Sequence, residues 1–127
     1  MTIAALLAKV DRLKPNQIAE ADKLAWLSNL DLLIFTTLFQ THATDDTTPE
    51  TFTGYDDSTD QDTTELLVAA PYDDLYVYHL FMQIDLRNME WQKFNNSTLS
   101  FNTAYDKYAA YYNRTHLPND PVTYYTI

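Results

Sequence analysis

The sequence contains no cysteine and only one glycine, Gly54. The lack of cysteine excludes disulfides and thiolate metal sites, and it fits a reducing compartment. A sheet-rich chain of this length needs many turn residues, so the single glycine favours helices. No apolar run is long enough to cross a membrane, and the first residues lack the basic start of a signal peptide. We therefore expect one helical domain, residues 1–127, that does not bind a membrane.

Basic residues are missing from one quarter of the chain. The net charge is −10, and residues 43–74 carry ten Asp or Glu residues with no Lys or Arg. On both sides of this quarter the acidic and basic side chains cancel, so the whole excess of charge lies within it. Such a segment repels phosphate and anionic lipid, which argues against direct nucleic-acid binding through it.

The spacing of apolar residues predicts two helices in the first third of the chain. The first covers residues 2–13, with Thr2 as its N-cap. The second starts after an N-cap at Asn16 and ends near residue 40. Its later part is apolar nearly all round, which is typical of a helix at the centre of a core or buried against another chain.

Two longer helices are predicted after the acidic quarter, where residues 72–117 hold no proline or glycine. The third helix begins with Pro71 in its first helical position. The fourth runs from about residue 90 to residue 116. A bend near residues 87–90 would fold them into a long antiparallel hairpin. The expected fold is therefore an all-α four-helix domain.

Two segments are predicted to lie outside the helices. Residues 43–65 are rich in Thr and Asp and predict a long acidic surface loop, with a candidate short β-hairpin between residues 52–55 and 65–68. Residues 117–127 contain two prolines and a β-prone end, and predict an extended tail. A strand such as VTYYTI, with no partner in its own chain, is a candidate for addition to a neighbour.

A metal or catalytic site is not expected. Four residues alternate like the start of a calcium loop: Asp56, Ser58, Asp60 and Asp62. Gln61 stands where that loop needs glycine, and Leu67 stands where it needs its closing Glu, which excludes an EF-hand. Weak, nonspecific cation binding by the loop stays open.

The three histidines, His42, His79 and His116, have no metal-ligand spacing, so surface or capping roles are expected for them. A triad of Ser97, His79 and Asp85 lacks a nucleophile elbow and an oxyanion loop. The ten tyrosines suit surfaces that become buried on assembly, since each joins a large apolar face to a polar tip.

Short ordered matches between residues 25 and 118 give the chain a resemblance to a known family. The matching pieces are AWLSNLD (25–31), LL-x-x-x-PYDDLY (66–76), Gln83 to Asp85, N-x-E-x-x-x-[YF]-NN (88–96), FN-x-AYD (101–106) and YNRTH-x-P (112–118). In these pieces the chain resembles the head–tail connector, or adaptor, proteins of tailed phages and prophages. One departure is Met89, where a small residue such as glycine is expected for the turn between the last two helices.

The resemblance implies a structural protein without enzymatic activity or cofactor. Its copies would form a ring, typically of twelve, beneath the portal protein in the neck of the virion, after assembly in the host cytoplasm. The ring would extend the DNA channel, through which DNA passes without specific binding. It would also offer a docking surface for the next neck, stopper or tail protein.

Two groups of residues are the predicted contact sites. The acidic loop is expected to face the channel or a neck partner through Asp45, Asp46, Glu50, Asp56, Asp57, Asp60 and Asp62. The tail is expected to dock to the portal or a neighbour through Tyr124, Tyr125 and Ile127. The main alternative is an acidic nucleic-acid mimic that inhibits a DNA-binding protein, which would need rigidly spaced acids. A small hydrolase is a more distant alternative, because no acid/base pair converges.

Overall fold

The computed structural model describes residues 1–45 and 48–119. The helices are α1 (Ile3–Leu13), α2 (Glu20–Ile34), α3 (Asp74–Arg87) and α4 (Trp91–Thr115), and a π-helix at Phe35–Phe39 directly extends α2. These described ranges contain no strand, so the all-α prediction is confirmed. Within them, no helix combines the length and the apolar character needed to span a membrane.

Helix α1 begins where the sequence predicts. The side chain of Thr2 caps it by accepting a hydrogen bond from Ala5 N at 3.2 Å. Its buried face consists of Ile3, Leu6, Leu7 and Val10. The helix ends at Leu13, since Pro15 disfavours helical geometry at Lys14.

Helix α2 begins three residues later than predicted. Asn16 is not its N-cap, because residues 16–19 are not helical. Its side-chain amide accepts from Ile18 N at 3.1 Å and donates to Asp11 Oδ1 at 3.0 Å. An Asn side chain that bonds its own backbone two residues on stabilises a turn in place of a helix start. The helix therefore starts at Glu20, with its N-cap at Ala19.

Helix α3 also begins later than predicted. The Ala70-Pro71 peptide bond is cis, and Pro71 lies in a turn before the helix and not at its first position. Tyr72 N donates to the carbonyl of Ala69 at 3.1 Å and closes this turn. Helical geometry starts only at Asp74.

Helices α3 and α4 pack along their lengths. At one end the rings of Tyr72 and Tyr108 lie 5.8 Å apart. At the other end Ser97 Oγ donates to Asp85 Oδ2 at 2.8 Å. Asp85 is fully buried, and Lys14 from the end of α1 lies 2.5 Å from its Oδ1. This ion pair ties α1 to α3, and breaking such a pair on one side is strongly destabilising.

His79 lies between the helices, so the expectation of a surface or capping role is wrong for this residue. Its ring centroid lies 5.4 Å from that of Phe101 on α4. Burial lowers the pKa of His79 to about 4, although a hydrogen bond with the backbone of Trp26 opposes the shift. The ring is therefore neutral at pH 7, and it packs as an uncharged aromatic side chain.

The turn between α3 and α4 places Met89 in a left-handed backbone conformation, with φ at 58°. Glu90 N donates to Asp85 O at 2.9 Å, and Met89 N donates to Leu86 O at 3.1 Å. These two bonds form a Schellman motif, in which the left-handed position usually holds glycine. A small residue such as glycine is also what the sequence analysis expects at position 89, for the turn between the last two helices.

Replacing Met89 with glycine is expected to stabilise the fold by about 1 kcal/mol, because glycine adopts this backbone conformation without steric conflict. The Met89 side chain is 73% exposed, so little packing is lost. Urea denaturation of the Met89→Gly variant measures the gain. Leu99→Gly, at an exposed site inside α4, is the control and should be destabilised by about 1 kcal/mol. A Met89→Gly protein no more stable than the parent would contradict the strain at this turn.

Candidate functional site

The described part of the acidic loop, residues 48–65, packs against the helical body. Phe52 contacts Phe35 of the π-helix, with ring centroids 6.0 Å apart. Tyr55 N donates to Ser28 Oγ of α2 at 2.9 Å. From Phe52 to Tyr55 the loop therefore runs along α2 toward the N-terminus of that helix. The net charge of the loop alone would favour an open conformation.

One buried carboxylate holds the loop in this position. Asp31 of α2 is fully buried and accepts three hydrogen bonds from three separate segments. Its donors are the Tyr55 hydroxyl, the Tyr76 hydroxyl at 2.6 Å and the Leu67 backbone N–H at 3.2 Å. The hydroxyl of Tyr76 also accepts from Val68 N at 2.8 Å. We call these five residues the Asp31 network; it joins α2, the loop, the 66–68 connector and α3.

The electrostatics of the Asp31 network follow from burial. Burial raises the pKa of Asp31, and hydrogen bonds from Tyr55 and Tyr76 oppose that shift. Burial and the adjacent Asp31 carboxylate raise the pKa of both tyrosines above the ordinary value. In the unfolded chain the phenols ionise near pH 10. Stability is therefore lost as the pH rises past that value, because the folded state retains the protons that the unfolded state releases.

Gly54 allows the loop to approach α2 closely. Its φ is +100°, a conformation that L side chains rarely adopt. A Cβ at this position would collide with Ser28 Oγ and would touch the side chain of Leu32. The single glycine of the sequence is therefore required for the contact between loop and helix.

The four later acids of the loop lie beside the start of α1. Asp56 Oδ1 accepts from Ser58 N at 2.9 Å, which fixes a tight turn. Beyond it, the loop carbonyls of Gln61 and Thr64 accept from the first N–H groups of α1, at 2.9 and 3.1 Å. The side chains of Asp56, Asp57, Asp60 and Asp62 are all exposed. The structure thus presents these four predicted residues as one solvent-facing acidic surface, which we call the acidic patch.

The prediction of a short β-hairpin in this loop is wrong, since residues 52–55 and 65–68 form no strands. Glu65 makes an isolated antiparallel bridge with Thr2 instead. Tyr55 and Leu67 both donate to Asp31, so α2 supplies the partner that a second strand would have supplied. A side-chain acceptor has replaced part of the backbone pairing expected for these residues.

Two predicted acids lie at the opposite end of the loop, near the end of α4. Asp45 Oδ2 lies 2.9 Å from His116 Nε2, and Thr48 Oγ1 donates to Asp45 Oδ1 at 3.1 Å. The ring of His116 stacks on Tyr112, with centroids 3.9 Å apart. Glu50 is exposed and lines a groove together with Asn119, beyond the end of α4. The predicted acids therefore form two groups and not one.

The remaining predicted contact residues lie outside the described part of the chain. They are Asp46, Tyr124, Tyr125 and Ile127. Of the predicted tail, residues 117–119 are described. They run antiparallel to residues 41–43, with a bridge between His42 and Pro118.

The acidic patch offers carboxylates without a converging catalytic or ligand geometry. Among the described residues, no group of three His, Asp or Glu side chains is placed to hold a metal ion. Ser97 bonds Asp85 directly at 2.8 Å, while the ring of His79 lies against Phe101. What the surface can do is repel anions and attract cations or a basic partner.

Sequence reasoning missed Asp31, Tyr76 and Gly54 as the residues that position the loop. A signal for Asp31 was present, because it is the one charged residue in the apolar run LDLLIF. A lone acid in a buried helix needs hydrogen-bond donors, and tyrosines are abundant in this chain. Which tyrosines supply them depends on the tertiary fold.

Replacing Tyr76 with phenylalanine is expected to destabilise the protein by about 1–3 kcal/mol, because Val68 N and one oxygen of Asp31 lose their partner. Urea denaturation measures this loss, and amide exchange of residues 52–68 should accelerate. Tyr78→Phe is the control, since Tyr78 lies on the same helix outside the Asp31 network. Equal stability of the two variants would mean that the network does not hold the loop.

The function of the acidic patch has to be inferred from its own residues and their arrangement. Comparison of the chain with protein-family models, with curated proteins and with solved structures gives no match.

Proposed function

We propose that the protein is a structural head–tail connector, or adaptor, of a tailed phage or prophage. Its copies form a ring, twelve in the virion, between the portal protein and the tail. The ring extends the DNA channel and receives the next neck, stopper or tail protein. In this proposal the protein is not an enzyme, lies in the neck of the virion, and is present in the host cytoplasm during assembly.

The observation that carries the proposal is the attachment of the acidic patch to a helical body. The Asp31 network and the Gly54 contact hold the loop against α2. Four exposed carboxylates therefore keep a defined place on each subunit. In a ring, such surfaces would form an acidic wall that DNA phosphates slide past without binding. Like charges on neighbouring copies are screened by salt over about 10 Å.

A second supporting feature is apolar surface left exposed on the α3–α4 pair. In the proposal these two helices are an antiparallel hairpin that forms the rigid body of the subunit. Its exposed large apolar side chains are Leu86, Met89, Trp91 and Leu99. Trp91 is 57% exposed and Leu99 is 69% exposed. Aromatic and apolar groups that become buried on assembly are typical of interfaces between subunits.

The proposed contacts follow the two groups of predicted residues. The acidic patch, together with Asp45, Asp46 and Glu50, faces the channel or a neck partner. Tyr124, Tyr125 and Ile127 dock to the portal or to a neighbouring copy. The first contact is proposed because the excess negative charge lies in the acidic loop. The second is proposed because the tail has the composition of a strand.

The second candidate function is an acidic nucleic-acid mimic that inhibits a DNA-binding protein. A Thr-rich loop with Pro49 and Gly54 argues for flexibility and against this function when only the sequence is considered. The contacts of Tyr55 and Gly54 with α2 reverse that argument, because they fix the positions of the acids. A fixed set of carboxylates is what a mimic of phosphate groups requires.

A direct test measures the mass of the protein alone and mixed with a cognate portal, in low and moderate salt. We expect a complex with the portal that contains about twelve copies. A chain truncated after Pro118 should lose this association, because it lacks the proposed docking residues. The double substitution Leu13→Ser, Leu33→Ser in the full chain is a control for loss of apolar surface outside the tail, because both side chains are exposed and lie outside the α3–α4 pair.

The outcomes separate the hypotheses. A protein that stays monomeric with the portal but captures a DNA-binding protein would reject the connector function and favour the mimic. If the truncated chain binds the portal as the full chain does, the ring proposal stands and the role of the tail is wrong.

Neutralising the acidic patch is expected to raise affinity for duplex DNA on the order of tenfold at low salt, because repulsion of phosphates is reduced. The variant combines Asp56→Asn, Asp57→Asn, Asp60→Asn and Asp62→Asn, since Asn can still accept the turn hydrogen bonds. Fluorescence anisotropy of a labelled duplex measures the binding. The control removes four charges elsewhere, with Glu20→Gln, Asp73→Asn, Glu90→Gln and Asp106→Asn. An equal gain in both variants would show that the patch has no special role.

A further inference from the structure

A groove with a volume of about 690 Å³ opens beside the π-helix. Its lining includes the aromatic side chains of Phe35 and Phe39, together with Gln40, His42, Ala43, Thr44, Pro49, Glu50 and Asn119. A cavity of this size is in the range that binds a small molecule or several residues of a peptide. Asn119 is the last described residue of the chain, so the groove lies where the tail begins.

The described start of the tail is directed along this groove. Ala43 N donates to Leu117 O at 2.7 Å, and Asn119 N donates to Thr41 O at 2.8 Å. As the chain advances from residue 117 to residue 119, its partner therefore changes from residue 43 to residue 41. The Asn119 side chain then donates to Gln40 O at 2.9 Å. The last described residue of the tail therefore lies beside Gln40, which lines the groove.

The remaining length of chain is sufficient for this path. Residues 120–127 span up to about 27 Å when extended, at roughly 3.4 Å per residue. The five-residue π-helix that borders the groove is much shorter, at about 1.5 Å per residue for a helix of this kind. Proline at position 121 disfavours a helical backbone at the residue before it, which favours an extended exit from Asn119.

The chemistry of the tail also fits the groove. Residues 122–127, VTYYTI, carry no charged side chain and consist of two threonines, two tyrosines and two aliphatic residues. Pro49 and the small exposed fractions of Phe35 and Phe39, 4% and 6%, are the apolar part of the groove. The polar remainder of its lining suits the threonine and tyrosine hydroxyls of such a segment. Glu50 lines the groove, so an anionic ligand such as a nucleic acid is disfavoured.

We propose that residues 120–127 of the same chain occupy this groove in the free subunit. A tethered segment has an effective concentration in the millimolar range, which gives it an advantage over a second copy at ordinary protein concentrations. The inference does not depend on the connector function. If the tail does dock to a portal or neighbour, that partner must displace it from the groove.

The absence of cysteine permits a direct test by disulfide crosslinking. The variant Glu50→Cys, Thr123→Cys places one thiol in the groove and one in the tail, at a threonine whose loss spares the apolar residues. Under mild oxidation we expect an intrachain disulfide, detected as the loss of two hydrogens by intact mass and as a monomer on a non-reducing gel. Thr37→Cys, Thr123→Cys is the matched control, because Thr37 is exposed on the same π-helix outside the groove. The groove pair should react at least about tenfold faster.

Further variants identify other occupants. Equal rates for the groove pair and the control pair would overturn the proposal. A second groove lies between α3 and α4, and its lining includes Tyr78 and Leu99. Faster closure of Leu99→Cys, Thr123→Cys would also overturn the proposal, because it would place the tail in this second groove. A mixture of Glu50→Cys and Thr123→Cys chains that gives mainly disulfide dimers would assign the groove to a second copy. Adding Val122→Asp and Tyr124→Asp to the groove pair should slow its disulfide formation to the rate of the control pair. An unchanged rate would contradict docking of these two side chains in the groove.

Discussion

The buried carboxylate of Asp31 is the constraint on which the acidic loop depends. A carboxylate removed from water needs hydrogen-bond donors. The donors to Asp31 come from three segments that pack against α2: the loop, the 66–68 connector and α3. These three donors are uncharged, and they join the helical core and the loop in one network of hydrogen bonds. The excess negative charge of the loop is thereby kept on a fixed surface, which is the feature common to both candidate functions.

Much of the helical fold is predictable from local sequence. Thr2 caps α1, and α4 ends one residue before the predicted limit. The errors at the starts of α2 and α3 have local causes that spacing does not reveal. Asn16 bonds within a turn, and Pro71 lies in the turn that Tyr72 N and Ala69 O close. Both residue types are compatible with a helix start and with a turn, so spacing alone does not distinguish the two.

The candidate site was less predictable than the helices. Composition identifies the acidic segment, and exposure of Asp56, Asp57, Asp60 and Asp62 agrees with its polarity. Neither composition nor periodicity indicates that Gly54 approaches Ser28, since that contact joins residues far apart in the chain. The division of the acids between the start of α1 and the end of α4 has the same origin. It follows from the path of the loop along α2.

The polar contacts of this helical protein connect distant parts of the chain, and this has a consequence for the order of folding. Tyr55 and Tyr76 lie 24 and 45 positions from Asp31, while Lys14 and Asp85 are 71 positions apart. Helical bundles usually fold fast because most of their contacts are local. Here the closure of long chain segments must come before these hydrogen bonds can form. We therefore expect the domain to fold more slowly than a helical bundle whose contacts are all local.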